Sequence, residues 1–465
     1  MVVPYKTASL VLYISVLFIH IAEAQQQKNY SLLDFVDSAE RHMPVLLQKQ
    51  ALVDASKANI TDARHSFLPT AFVGDELNLG TDNSLPGSYL SYGIIPSTSS
   101  GIHASNDYQS AVGNIAIFQS QYELLDFGLK KAKIDNAKAY ANLTQADLER
   151  EKYLLKWRVG KLYFDILKNQ FQLAIDKENV NRYEAVYKVI EAVTRSGIKA
   201  GADSSLAMAE LSKSRITYNQ TDGQIRQLQQ ELSYLTGIAP NYFLIDTSQT
   251  KNYLNALDIL SHNNYDSSTN PLVDYYNKQE LLYKQTENLV KKSYLPKIFL
   301  TATGWARGSS IDYNGNYKSL GDGFGYQRIN YMFGATFVYD LFNVVHRKDK
   351  LAISHLNTVA SDYGLQQQQL SLNNINNQAD EAIHTAVKNL FEIPVQIKSS
   401  QDTYNQKTAQ YKAGIINLID LTNASFVLYR AQSDYVQTLS DWLLANLDKA
   451  ASTGNLNLFI QSIKK

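Results

Sequence analysis

Ser66-Phe67-Leu68-Pro69 and Ser293-Tyr294-Leu295-Pro296 are near copies, and each ends 25 positions beyond another proline, Pro44 or Pro271. The copying continues downstream. Leu125-Asp126-Phe127-Gly128 is echoed by Asp340-Leu341-Phe342-Asn343, and Lys199-Ala200-Gly201 by Lys412-Ala413-Gly414. Offsets of about 213 to 227 residues predict a duplicated unit, which has to be settled before any element is assigned.

Each half reads in one order. A helix opens at Pro44 or Pro271, since proline suits the first helical position, and ends before Pro69 or Pro296, whose preceding residue is pushed out of helical geometry. Two strand-like stretches follow, about 70–122 and 297–339, each pair flanking a polar loop. Phe299, Thr301, Thr303 and Trp305 alternate with Ile298, Leu300 and Ala302, the period of two of a strand with two different faces. Long helices are then predicted over 128–196 and 344–411. At 1.5 Å per residue, roughly 70 residues reach on the order of 100 Å. Pro394 interrupts the second of them and predicts a kink.

Return helices are expected at 203–236 and 417–450, after turns at Gly201 and Gly414. Leu421, Leu428, Tyr435 and Trp442 recur every seven residues, with Ala424, Ala431, Thr438 and Ala445 offset by three. The first half answers with Leu211, Tyr218, Ile225 and Leu232, and with Ser214, Thr221, Leu228 and Leu235. Strict sevens predict a supercoiled seam that mixes large and small residues. The domain reading is a signal peptide at 1–24, repeats at 25–237 and 271–452, a linker at 238–270 and a tail at 453–465.

Residues 1–24 carry Lys6, an apolar run from Ala8 to Ile21, and then Ala22-Glu23-Ala24, the pattern of a cleaved export signal. No later stretch reaches the length of a transmembrane helix. Any membrane contact of the mature chain therefore falls to strands. The chain has no cysteine, and its 44 Lys+Arg balance 44 Asp+Glu, so neither a disulfide framework nor an electrostatic case for nucleic acid exists. Four strands cannot close a barrel, because transmembrane barrels begin at about 8 strands and open edges are not tolerated in lipid. The chain must oligomerise. Tyr89, Tyr92, Tyr108, Tyr122, Tyr326, Tyr331, Tyr339 and Trp305 cluster near the strand ends, where interface aromatics sit.

The duplicated order of helix, proline-bounded strand pair, Asp-Phe-Gly-like exit, long helix, Tyr-x-x-Gly turn and heptad helix resembles the TolC family of outer-membrane efflux proteins, the outer membrane factors, over about residues 30 to 453. That resemblance implies a mainly α fold with a membrane β-barrel part: a homotrimer with a 12-stranded β-barrel continued by a 12-helix coiled-coil α-barrel. It also implies a passive exit duct for a tripartite efflux or type I secretion system. Its partners would be outer-membrane lipid, a periplasmic adaptor and an inner-membrane pump of RND type or ABC type. Tyr411-Lys412-Ala413-Gly414 matches the family's turn, and Asp420 falls where the family places an aspartate lining the narrowest ring. Three copies of Asp420 would favour cations there. Ile416 and Asn423 stand where the family often has an arginine and a second aspartate, so packing by Ile415 and Ile416 is expected in place of a salt bridge. Gly201, Ala202, Gly414 and Ile415 are the expected adaptor contact. Ala207 is taken as the first-half match of Asp420, which predicts a threefold gate.

Catalytic signals are thin. The eight histidines show no metal-ligand spacing, and Gly321-Asp322-Gly323-Phe324-Gly325 does not join a strand to a helix as a phosphate loop does. No cofactor is expected. The rival reading is a soluble periplasmic coiled-coil adaptor or scaffold, which would share the heptads without needing the strand pairs.

Overall fold

The computed structural model describes residues 28–84, 104–196, 201–240, 243–245 and 269–463. The export signal, Tyr89 and Tyr92, Lys199 and Ala200, and most of the inter-repeat linker lie outside the described residues. In chain order the elements are β1 (Lys28–Tyr30), α1 (Leu32–His42), α2 (Pro44–His65), β2 (Thr70–Gly80), β3 (Ala111–Leu125), α3 (Leu129–Arg195) and α4 (Gly201–Thr236). They continue with β4 (Phe243–Ile245), α5 (Pro271–Ser293), β5 (Lys297–Ser309), β6 (Arg328–Val338), α6 (Asn343–Lys412), α7 (Leu418–Ser452) and α8 (Leu456–Ser462). Contacts divide the chain into a helical unit, Met1–Val53, Leu143–Lys278 and Asp362–Lys465, and a second unit holding the main sheet, Asp54–Asn142 and Gln279–Ser361. Each unit draws on both sequence halves. The chain passes between units only within α2, α3, α5 and α6.

The main sheet is antiparallel in the order β2-β3-β5-β6, so the two strand pairs join through β3 and β5 and leave β2 and β6 as edges. A bulge between Glu123 and Leu125 ends β3. The chain then turns through Phe127 at φ 47° and Gly128 at φ 91°. The aspartate of this turn explains why the sequence repeats it. Asp126 Oδ1 accepts from the Gly128 N–H and Oδ2 from the Lys130 N–H, capping α3, and Asp340 Oδ1 accepts from the Phe342 N–H ahead of α6.

The core of the helical unit gathers Leu32 and Phe35 of α1, Tyr163, Phe164 and Ile166 of α3, Leu232 of α4, Leu447 of α7 and Phe459 of α8. The segment read as a C-terminal tail is therefore built in, since α8 buries Leu456, Phe459 and Ile460. Short β4, within the expected linker, pairs in parallel with β1. Helix α6 runs through Pro394 without a break in its helical assignment.

The first-half seam stays on its sevens: Leu211, Ser214, Thr221, Ile225, Leu232 and Leu235 are all buried. The second widens. Leu421, Ala424, Leu428 and Ala431 are buried, Tyr435 is 41% exposed, and Trp442 and Ala445 are buried again on the sevens. From Val436 onward a second row, Val436, Leu439, Leu443 and Leu447, is buried beside the seam, where α7 joins α3 and α8 in the main core.

A polar knot crosses the helical unit between three helices. Asp176 of α3 is buried, and its carboxylate accepts from Thr221 Oγ1 of α4 at 2.6 Å, from Tyr429 Oη of α7 at 2.9 Å and from Gln172 Nε2 at 2.9 Å. Gln172 also donates to Ser433 Oγ at 3.0 Å. Burial, followed by the hydrogen bond to Asp176, pushes the Tyr429 phenol up to about 12. A folded value above the unfolded one means that this contribution is whole below the ordinary tyrosine range near pH 10 and is lost as pH rises through about 12. Tyr429→Phe should cost about 1–3 kcal/mol and flatten that alkaline limb. Thermal unfolding followed by circular dichroism across pH checks both, and an unchanged melting curve would remove the knot from the stability of the helical unit.

Candidate functional site

The turn after α6 is built by its glycine. Gly414 sits at φ 73°, in the left-handed region that glycine enters without a Cβ penalty. Its N–H donates to Tyr411 O at 3.0 Å while the Ile415 N–H reaches Gln410 O at 2.9 Å, the paired bonds of a Schellman ending. Asn417 then caps α7, its Oδ1 accepting from the Asp420 N–H at 2.9 Å.

Asp420 and Asn423 are both exposed and lie three residues apart on α7, hence on one face. Ile416 is half-buried and Ile415 exposed. Tyr411 packs beneath them against a small cluster of Ile190, Ala207 and Leu418. Burial raises its phenol above the ordinary range, and the carboxylate of Asp203 adds to the rise. That cluster joins the ends of α3 and α6 to the starts of α4 and α7, so the two helical turns lie at one end of the helical unit. Gly201 and Ala202 are exposed there, but as the first residues of α4.

Ala207 does not stand where Asp420 stands. It is buried in the seam, whereas Asp420 faces out. Helix α4 begins at Gly201 itself, but α7 begins four residues after Gly414. Equating the glycines misaligns the seams, because Leu211 lies ten residues after Gly201 whereas Leu421 lies seven after Gly414. The buried seams match instead as Leu211 with Leu421, Ser214 with Ala424 and Leu232 with Trp442. By that register the counterpart of Asp420 is Glu210, half-buried and also acidic. The heptads held this signal, and the glycine match overrode it.

The sheet has two unlike faces, fixed by its register. Val73, Leu77 and Leu79 of β2 share a face with Phe118 of β3, Ala302 and Gly304 of β5, and Ile329, Tyr331, Phe333 and Phe337 of β6. The bulky β6 residues stand opposite small ones, Tyr331 beside Gly304 and Phe333 beside Ala302, and are about 80% exposed. Glu76, Asn78, Gln119, Gln121, Thr301, Thr303, Arg307, Arg328 and Asn330 occupy the other face with Phe72, Ile117, Phe299 and Met332, while Asp75 and Asn114 lie on the first. Trp305 lies on this polar face, between Ile117 and Asn330, whereas Tyr331 lies on the apolar one. Trp305 and Tyr331 therefore do not share one aromatic band.

Among the described residues, no cluster of metal-ligating side chains occurs and no helix is long and apolar enough to cross a membrane. A groove of about 800 Å³ runs along the helical unit between α3, α6 and α7, lined by Trp157, Leu372, Ile375, Ala382, Leu444 and Asp448.

No curated protein matches the chain in sequence. Solved structures match in fold. The outer membrane protein VceC from Vibrio cholerae aligns with a TM-score of 0.72 at 12% identity, covering 91% of this chain and 96% of its own. The CmeC outer membrane channel of Campylobacter jejuni gives 0.72 at 14% identity over 91% and 86%. The open state of the Neisseria gonorrhoeae MtrE outer membrane channel gives 0.66 at 16% over 91% and 89%. In sequence, the outer membrane efflux protein family matches residues 35–238 and 283–455, one segment in each repeat. The chain belongs to the outer membrane efflux protein family, and is a channel protein of the outer membrane reaching into the periplasm, not an enzyme or a soluble scaffold.

Proposed function

We propose that three copies of this chain form a passive exit duct, opened at its periplasmic mouth by an adaptor and an inner-membrane pump of RND or ABC type. The observation that carries the reading is the two-faced open sheet. Strands β2 and β6 each leave one row of backbone N–H and C=O groups unpaired, which lipid does not tolerate. Because neighbouring strands alternate in direction through the sheet, β6 of one copy can pair antiparallel with β2 of the next. Three copies give 12 strands, with the apolar face toward lipid and the polar face toward a lumen.

Helix α6 supports the same assembly. Leu356, Tyr363, Leu370 and Phe391 share one heptad position, Ile353 and Val395 lie three residues away from it, and all six are exposed. A heptad stripe left uncovered in one chain suits a coiled coil with a neighbour. The open groove beside Trp157 and Leu372 suits the same cover.

At the mouth, Asp420 and Asn423 line the narrow ring, Tyr411 holds its base, and Ile416 packs between copies. Gly201, Ala202, Gly414 and Ile415 meet the adaptor. The processed chain begins after residue 24 and reads as two repeats, 25–237 and 271–452.

Three measurements test this reading. Tyr363→Asp with Leu370→Asp should dissociate the purified assembly, and a mass by light scattering that stays at three chains would sink the α6 contact. Single-channel recordings should show a cation preference that Asp420→Asn weakens and that Asp420→Asn with Glu210→Gln weakens further, whereas an unchanged reversal potential would take both carboxylates out of the ring. Gly414→Val, which forces a β-branched residue to φ 73°, should impair efflux in cells while leaving assembled protein in the outer membrane. Normal efflux would remove the turn from the adaptor contact.

A further inference from the structure

The strand-to-helix junction of the sheet unit holds a cleft that the duct reading does not use. Arg64 and Phe67 come from the end of α2, Leu124 and Phe127 from the β3 exit, and Lys130 and Lys131 from the first turns of α3. Its volume is about 810 Å³. Lys130 and Lys133 lie over the Phe67 ring at 5.6 and 5.3 Å from its centre, and the Lys292 side chain passes beside Gly128.

The acidic groups of the cleft are already engaged. Asp126 caps α3, Glu123 pairs with Lys297 at 3.5 Å, and Asp135 lies 3.8 Å from Lys138. Among the described residues, no carboxylate comes within ion-pairing distance of Arg64, Lys130 or Lys131. With Arg64, Lys130, Lys131 and Lys138 against Glu123, Asp126 and Asp135, the cleft carries one positive charge in excess above its apolar floor, and among the described residues Arg64, Lys130 and Lys131 have no paired carboxylate.

A helix start disfavours positive charge, and at α3 the capping carboxylate of Asp126 offsets the dipole while the first turn itself has no acidic residue. The second repeat carries a similar combination, with Arg347, Lys348 and Lys350 around Asp349 near the start of α6 and no acid in its first turn. Exposed apolar side chains flank both sets: Leu68, Leu125 and Phe127 in one, Leu341, Phe342 and Val345 in the other. Lysine and arginine beside exposed aromatics at the end of a membrane strand fit the headgroup layer, with the anion supplied by the lipid.

We propose that this cleft binds the headgroup of an anionic phospholipid of the periplasmic leaflet, with Arg64, Lys130 and Lys131 on the phosphate and Phe67, Leu124 and Phe127 against the upper acyl chain. The charge complementarity and the apolar floor select a lipid over a free ion, because inorganic phosphate makes no use of the exposed leucines and Phe127. The proposal rests on the sheet lying in the membrane, which insertion into zwitterionic vesicles reports separately.

Mature, assembled protein in detergent, incubated with equal phosphatidylglycerol and phosphatidylcholine and read by native mass spectrometry, should retain the anionic lipid preferentially. Replacing Arg64, Lys130 and Lys131 with glutamine should lower that preference by about tenfold or more. A control variant with glutamine at Lys213, Lys388 and Lys398 should keep it. Equal retention of the two lipids, an unchanged preference in the cleft variant, or full displacement of the lipid by excess inorganic phosphate would each overturn the assignment. Insertion of the cleft variant into phosphatidylcholine vesicles, with wild-type circular dichroism, shows that the loss is one of headgroup binding rather than of folding.

Discussion

The unpaired backbone at the two edges of the sheet is the constraint on which the rest depends. Each strand buried in the sheet satisfies its amides through both neighbours, but β2 and β6 have a neighbour on one side only. In water such edges are managed with charge and bulges. In hydrocarbon they have to be paired, since each orphaned amide costs several kcal/mol. A four-stranded sheet with two open edges is therefore incomplete in hydrocarbon, and the exposed residues of one face suit that solvent. Ile329, Tyr331 and Phe333 stand exposed on the edge strand that a water-soluble protein would protect.

The helical unit answers the same constraint with different means. Inside one chain, register is fixed by the Asp176 knot, because three donors from two neighbouring helices and from its own converge on a single buried carboxylate. A slip of α7 by one residue would withdraw the Tyr429 hydroxyl from Asp176 and leave a buried charge short of a partner, a loss larger than that of most apolar contacts. Between chains, no comparable polar lock is needed on α6. Its exposed stripe of Leu356, Tyr363, Leu370 and Phe391 is apolar except at Asn377 and His384, which share the same heptad position.

Much of this was legible in the sequence because it rests on local rules. Prolines bounded the helices, the Asp-Phe-Gly echo marked the strand exits, and the period of two marked the sheet. Six residues of the first-half heptad, from Leu211 to Leu235, are buried, and Tyr218 and Leu228 are half-buried. What escaped was set by long-range packing. The α7 seam gains a second buried row from Val436 onward where α3 and α8 close on it, and the burial of Phe459 depends on Phe164, nearly 300 residues earlier, with ring centres 6.1 Å apart. Trp305 was misplaced for a different reason. Alternation shows that a strand has two faces but not which one meets lipid, and only pairing with Ile117 and Asn330 decides it. The Asp176 knot left no local trace, since a lone aspartate within a long helix reads as solvated.

The register of the two return helices carries the last step. Glycines are where the repeats look most alike, yet Leu421 follows Gly414 by seven residues whereas Leu211 follows Gly201 by ten, the difference between a glycine offset of 213 and a heptad offset of 210. After Gly414 the second turn spends three residues outside helix, the last of them the cap Asn417, whereas α4 is helical from Gly201 onward. The shorter spacing puts Leu421 in register with Leu211, and with it Asp420 in register with Glu210. Seam packing thus overrides the symmetry of the turns and aligns an acid from each repeat. A mouth built from three such chains would carry six carboxylates of two kinds, one fully exposed and one half-buried, so its charge is closer to sixfold than the turns alone imply.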